Sequence, residues 1–264
     1  DAGACLIEDG EILSATHAER LSRKKNDRWL HSKQKYLKNL AHKVSFFEKN
    51  WLKFSRQWYS GQKELADFRL SKYEYSHYHH ESHAAAGFYT SKFNNCNILV
   101  IDAIGEWDTV SVWEGWMDRN KPKMKKVWSR KYPYSIGLFY SAITKAVGLK
   151  PQEDEYITMG MAAYGEPKYY DEYKEILDNH NCHKGVPKVL KGYPNDIAAS
   201  AQLLVEEEII KIVKNHCHHE NLIMMGGVAL NCVANSRVAK LGKKIWIMPN
   251  PGDCGSALGT AALT

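Results

Sequence analysis

The sequence lacks what would place it in a membrane, in an oxidising compartment or on a polyanion. It has no apolar run near the length needed to cross a bilayer and no signal peptide. Six cysteines (Cys5, Cys96, Cys182, Cys217, Cys232 and Cys254) are scattered without a CxxC pair. That spacing is neither a zinc knuckle nor a disulfide framework, and it fits a reducing compartment. A soluble, cytoplasmic protein is expected. Charge of one sign is scarce too: 36 Lys+Arg against 30 Asp+Glu leave +6. Such a balance permits an anionic ligand such as a nucleotide but makes no case for nucleic acid. No internal repeat is present. The 264 residues open on Asp1-Ala2-Gly3-Ala4 without methionine, as a piece whose first strand has been cut away.

What is present centres on His79-His80-Glu81-Ser82-His83, followed by Asp102 at the end of an apolar run. Two imidazoles four residues apart share one helix face, and residues 81–91 have the composition of that helix. The run Asn97-Ile98-Leu99-Val100-Ile101 reads as a buried strand delivering Asp102 at its carboxyl end, the edge where open α/β sheets bind ligands. Two neutral nitrogens and a carboxylate suit a divalent transition metal with positions left open for chemistry.

The rest reads as alternating strands and helices. Asp9-Gly10 between two short apolar runs marks a hairpin. Residues 34–67 have helical spacing. Residues 98–101 and 109–113 form a second hairpin, with a further strand at 125–130. Ile136, Phe139, Tyr140, Ile143 and Val147 mark one face of a helix that stops at Gly148. A second helix runs from about Asp196, capped by Asn195, with Ile197, Ala201, Leu204, Val205, Ile209 and Ile212 on its apolar face. Residues 168–194 read as an irregular, charged surface insertion, and Glu153-Asp154-Glu155 as an acidic loop. His216-Cys217-His218-His219 reads as a solvated helix end. Strand 222–225, Gly226-Gly227 and a helix over 228–240 bring amide groups to one point, a candidate anion site. Strand 244–248, the loop 249–255 and a small-residue helix, 256–263, close the chain.

Taken together, five stretches resemble the O-carbamoyltransferases of nodulation and antibiotic tailoring. They are His79-His80-Glu81-Ser82-His83-Ala84-Ala85, Asp102-Ala103-Ile104-Gly105-Glu106-Trp107, Met159-Gly160-Met161-Ala162-Ala163-Tyr164-Gly165, Gly226-Gly227-Val228-Ala229-Leu230-Asn231-Cys232-Val233-Ala234-Asn235 and Gly252-Asp253. The threonylcarbamoyl-transferring tRNA enzymes and the hydrogenase-maturation carbamoyl carrier are similar at greater distance. The resemblance implies an α/β fold of the actin-like ATPase superfold, with two RNase H-like lobes around a cleft, here 1–132 and 133–264. It implies metal ligation by His79, His83, Asp102 and Asp253, with Fe2+ or another divalent transition metal. It also implies Gly226, Gly227, Asn231 and Asn235 along a carbamoyl-adenylate, with Gly105 and Glu106 near its phosphate. Lys25, in the early basic stretch, would face the reacting group. Three departures stand out: no histidine precedes Asp1, Ala103 replaces a glycine, and the chain stops where relatives continue into a domain making carbamoyl-adenylate from carbamoyl phosphate and ATP.

The activity implied is metal-assisted transfer of a carbamoyl group from carbamoyl-adenylate to a hydroxyl of a sugar-like or other small-molecule acceptor. The acceptor loops would lie in 34–76 and 168–194. His80, beside the ligands, is one candidate base for the alcohol proton; an exposed bystander is the other reading. Rival readings are an actin-like ATPase or sugar kinase, a binding module without turnover, and the tRNA-modifying relative.

Overall fold

The computed structural model describes residues 2–27, 29–41, 45–46, 75–76, 78–186 and 192–264. Two apolar-rich strands first close a hairpin: β1 (Gly3–Glu8) and β2 (Glu11–His17). Asp9 and Gly10 both take positive φ, 48° and 84°, the tight turn the pair predicts. Short helices α1 (Ala18–Ser22) and α2 (Ser32–Tyr36) follow, with a parallel contact between β3 (Ser45–Phe46) and β4 (Tyr75–Ser76). Most of the helical stretch expected at 34–67, and most of the expected acceptor segment 34–76, lies outside the described residues.

Helix α3 (His79–Thr90) then leads into β5 (Asn95–Gly105), β6 (Asp108–Asp118) and β7 (Lys121–Lys131), joined by tight turns. After helices α4 (Ile136–Ala146), α5 (Glu155–Met161), α6 (Tyr170–Asn179) and α7 (Pro194–His216) come β8 (Asn221–Met225), α8 (Cys232–Ala239), β9 (Lys244–Trp246) and α9 (Ser256–Ala262). One five-stranded sheet results, in the order β7-β6-β5-β8-β9. The β7/β6 and β6/β5 pairs are antiparallel; β5/β8 and β8/β9 are parallel.

The apolar run of β5 is continuous because both faces of the sheet are covered. Leu99 and Ile101 join Phe139, Ile143, Tyr173, Leu204 and Ile209 on one side. Ile98 and Val100 join Ala84, Phe88, Ile223 and Leu258 on the other. Alternate residues of one strand thus feed two cores. α4, α6 and α7 cover the first face, α3 and α9 the second. The Ser135 hydroxyl caps α4 by accepting from Leu138 N at 3.0 Å, and Gly148, at φ 86°, ends it as expected.

The five-stranded sheet takes β5, β6 and β7 from before residue 132 and β8 and β9 from after it. Several expectations are corrected. α3 starts at His79 and not Glu81, because its cap comes from a distant residue: the Glu106 carboxylate accepts from His79 N at 3.1 and 3.2 Å. α7 begins at Pro194, so Asn195 sits inside the first turn and is no cap. Residues 168–194 contain α6, whose Tyr173, Ile176 and Leu177 enter the core. The helix expected over 228–240 is a 3-10 turn, Gly227–Leu230, then a break at Asn231 before α8. His216 ends α7 half-buried, with its ring stacked on Trp128 at 4.2 Å and burial lowering its pKa below the ordinary value, while His218 and His219 are exposed as expected.

The core yields a paired prediction. Phe139 is fully buried, and Phe139→Ala lowers unfolding free energy by about 3–5 kcal/mol in urea titrations. Tyr173 is equally buried, yet its hydroxyl has no hydrogen-bond partner among the described residues. Tyr173→Phe is therefore neutral or stabilising; a loss matching that of Phe139→Ala would contradict the packing described.

Candidate metal and nucleotide site

Three separate parts of the chain meet at the carboxyl end of β5. The first turn of α3 supplies His79 and His83, one turn apart on the same face, and the end of the β5 apolar run supplies Asp102. Asp253 arrives on the turn before α9. His79 Nε2 lies 2.7 Å from Asp102 Oδ2, 3.2 Å from His83 Nε2 and 3.4 Å from Asp253 Oδ1. His83 Nε2 is 3.5 Å from Asp253 Oδ1 and 4.0 Å from Asp102 Oδ2. All four ligand atoms lie within 4.8 Å of one another.

The donor set fits a divalent transition metal. Two imidazole nitrogens and two carboxylate oxygens of mixed hardness suit iron, zinc or their neighbours better than Mg2+. His79 and His83 are fully buried. Burial pushes the pKa of His83 below its ordinary value, and the neighbouring His79 pushes the same way against the opposing pull of Asp253 and Asp102. Burial thus favours the neutral imidazole, the form that ligates a metal. Outer contacts fix the ligands: Ala103 N donates to Asp102 Oδ1 at 2.8 Å, leaving Oδ2 toward the cluster, and Ser256 Oγ meets His83 Nδ1 at 2.8 Å.

Glycines bring backbone close to this cluster. A Cβ on Gly105 would stand 2.5 Å from the ring of His79 and 2.4 Å from that of His80, so only glycine fits between β5 and α3. Gly226 holds φ 89° and lies so near β5 that a Cβ would be 2.2 Å from Ile101 O. Its N–H already donates to Pro251 O at 2.9 Å, so the glycine pair offers fewer amides to an anion than its sequence suggests. A Cβ on Gly227 would lie 3.3 Å from Asp102 Oδ1, which sets this loop beside the ligands.

The remaining candidates are placed as follows. Glu106, expected near a phosphate, caps α3 with its carboxylate. His80 is not exposed: it is 2% accessible, with Nδ1 2.7 Å from Ser111 Oγ, which also accepts from Trp113 Nε1 at 2.8 Å. Asn231 caps α8 through Ala234 N and pairs with Gln202 through both amide atoms, at 3.1 and 2.9 Å. Asn235 donates to Ala229 O at 2.7 Å. Lys25 donates to Glu153 O at 2.5 Å and lies over the Tyr156 ring, on the loop that opens α5. Among the described residues no hydrogen bond or ion pair joins Lys25 to the His/Asp cluster. The acidic run is partly self-engaged, since Glu155 accepts from Ser141 Oγ and Gln152 N, each at 2.6 Å. Sequence reasoning missed Ser256, Ser111 and the capping role of Glu106, because each acts through space on α3 from a distant part of the chain.

This fold is α/β and of the actin-like ATPase class, with a two-His, two-Asp cluster at the carboxyl edge of its sheet. The activator of 2-hydroxyisocaproyl-CoA dehydratase from Clostridium difficile, solved with bound ADPNP, superposes with TM-score 0.55 at 14% identity, over 99% of this chain and 93% of that one. Residues 29–186 and 180–262 match the family model described as Carbamoyltransferase N-terminus, and the chain belongs to that family. An uncharacterized protein of Synechocystis is 32% identical over 99% of this chain and 54% of its own length. The nodulation protein NolNO of Sinorhizobium fredii is 29% identical over 70% of this chain and 30% of its own. The chain thus spans about half the length of the first two curated relatives it matches, 54% and 55%.

Two glycines flanking the cluster give opposite expectations. Gly226→Ala meets both positive φ and Ile101 O, and should cost more than about 1 kcal/mol. Gly252, at φ −79° with open space around a Cβ, tolerates alanine within about 0.5 kcal/mol. Equal effects in thermal or urea unfolding would contradict the backbone described.

Proposed function

We propose that this chain is the transferase part of an O-carbamoyltransferase, which moves a carbamoyl group from carbamoyl-adenylate to a hydroxyl of a sugar-like or other small molecule. One observation carries the reading. His79, His83, Asp102 and Asp253 converge within 4.8 Å at a sheet edge, beside the Gly226-Gly227 loop, in a chain of the carbamoyltransferase family. The domain that makes the adenylate from carbamoyl phosphate and ATP belongs to the same proposal. So does ATP as the nucleotide, which the ADPNP in the superposable activator supports. No helix among the described residues is long and apolar enough to cross a membrane.

The four side chains would hold Fe2+ or another divalent transition metal. Bound there, such an ion supplies Lewis-acid charge and a template for the phosphate. The residues themselves do the rest. Buried imidazoles and the covered sheet edge exclude water from one side of the site, which strengthens every charge interaction inside it. The Gly226-Gly227 turn carries no side chain beside Asp102, which leaves room for a phosphate next to a cation held there. His80 is held by Ser111 in the wall behind α3 and supports His79 by packing, a role that does not need it to move a proton. Lys25 sits at the 152–156 loop, where its cation suits an anionic part of the donor or acceptor.

Metal content tests the ligand set. The purified chain should carry about one equivalent of a transition metal after reconstitution, and His79→Ala or Asp102→Ala should lose most of it. Equal trace metal in all three would contradict the assignment. Supplying synthetic carbamoyl-adenylate with a panel of sugar and aminoglycoside acceptors tests transfer. Carbamoylated product, lost in the same variants, is expected; phosphorylated product alone, made from ATP, would instead indicate a kinase.

A further inference from the structure

We infer that Ser256 is a positioning residue for His83, so that one short segment, from Asp253 to Thr260, supplies both a ligand and the group that aims another ligand. This rests on the metal-binding reading above. Ser256 and His83 are both fully buried, and Ser256 Oγ lies 2.8 Å from His83 Nδ1. A neutral imidazole carries one N–H and one lone pair. His83 Nε2 faces His79 and Asp253. A cation held there would take the Nε2 lone pair and leave the ring proton on Nδ1, and Nδ1–H would then donate to Ser256 Oγ. That bond fixes both the tautomer and the ring direction, as partners of metal-bound histidines commonly do.

The serine serves His83: it opens α9, and its hydroxyl is turned to α3. The register between α9 and α3 is fixed beyond it. Thr260 Oγ1 donates to Ser82 Oγ at 3.2 Å, and a Cβ on Gly259 would lie 1.9 Å from Ser82 O. Ser256 and Thr260 are one turn apart and meet neighbouring residues of α3, His83 and Ser82. A slip of α9 would withdraw Ser256 from His83 while also moving Asp253.

Co2+ titration of the full chain, followed by its visible absorption, compares wild type with Ser256→Ala, Ser256→Cys and Thr260→Val. Ser256→Ala should bind about 10- to 100-fold more weakly. Ser256→Cys, close in size with a weaker hydrogen bond, should fall between. Thr260→Val loosens the same helix contact without touching His83, and should bind within about threefold of wild type. The visible Co2+ bands give a second readout: they should shift in Ser256→Ala as the ring turns and be restored in part by Ser256→Cys. Unchanged Co2+ affinity and unchanged bands in Ser256→Ala beside a binding wild type overturn the assignment of Ser256. A wild type that binds no Co2+ overturns the metal reading, and the role of Ser256 with it.

Discussion

Two buried imidazole nitrogens held 3.2 Å apart, each within 4.0 Å of two carboxylate oxygens, set the constraint that the remainder of the molecule serves. Such a cluster concentrates electron-rich atoms where water cannot solvate them, which is unfavourable unless a cation or protons sit among them. The lowered pKa of His83 removes one source of protons near neutral pH. On the proposed reading a bound cation balances the site, and the surrounding contacts hold the four side chains in place around it.

Those contacts explain much of the architecture. β5 is covered on both faces as far as Ile101, and Asp102, next along, is buried with Oδ1 held by Ala103 N. Glu106 ties the start of α3 to the β5–β6 turn by accepting from His79 N, which also places a negative charge at a helix N-terminus. Gly105 lets β5 pass against the rings of His79 and His80. α9 closes the arrangement from the other side of α3 through Ser256 and Thr260. Strand end, helix start and C-terminal segment are thereby coupled, and a shift in any one displaces a ligand.

Three of the four clustered side chains, His79, His83 and Asp102, and the β5 strand were legible because their signals are local; Asp253 entered only through the family resemblance. A four-residue histidine spacing, an apolar run ending in aspartate and an Asp-Gly turn each need only neighbouring residues. What escaped it depends on distant partners. The start of α3 was misplaced because Glu106, 27 residues on, caps it. α6 went unseen because only Tyr173, Ile176 and Leu177 are apolar inward, in an otherwise charged stretch. Asn231 ends one helical segment, begins another and pairs with the distant Gln202, a structural role with no local signal. A boundary at 132/133 followed the change from strand to helix patterning, and nothing local there signals that parallel β8 and β9 return to the same sheet.

Membership of the carbamoyltransferase family gives this cluster its chemical context, and the superposition on a nucleotide-binding activator gives it the fold. The account stands or falls on whether a cation occupies the cluster. Anomalous diffraction at the absorption edge of iron or zinc, on crystals of the metal-loaded chain, tests this most directly. The account predicts one peak at about 2.0–2.3 Å from His79 Nε2, His83 Nε2 and an oxygen each of Asp102 and Asp253. A loaded crystal with its anomalous density elsewhere, or with Asp253 turned away from the ion, would contradict it.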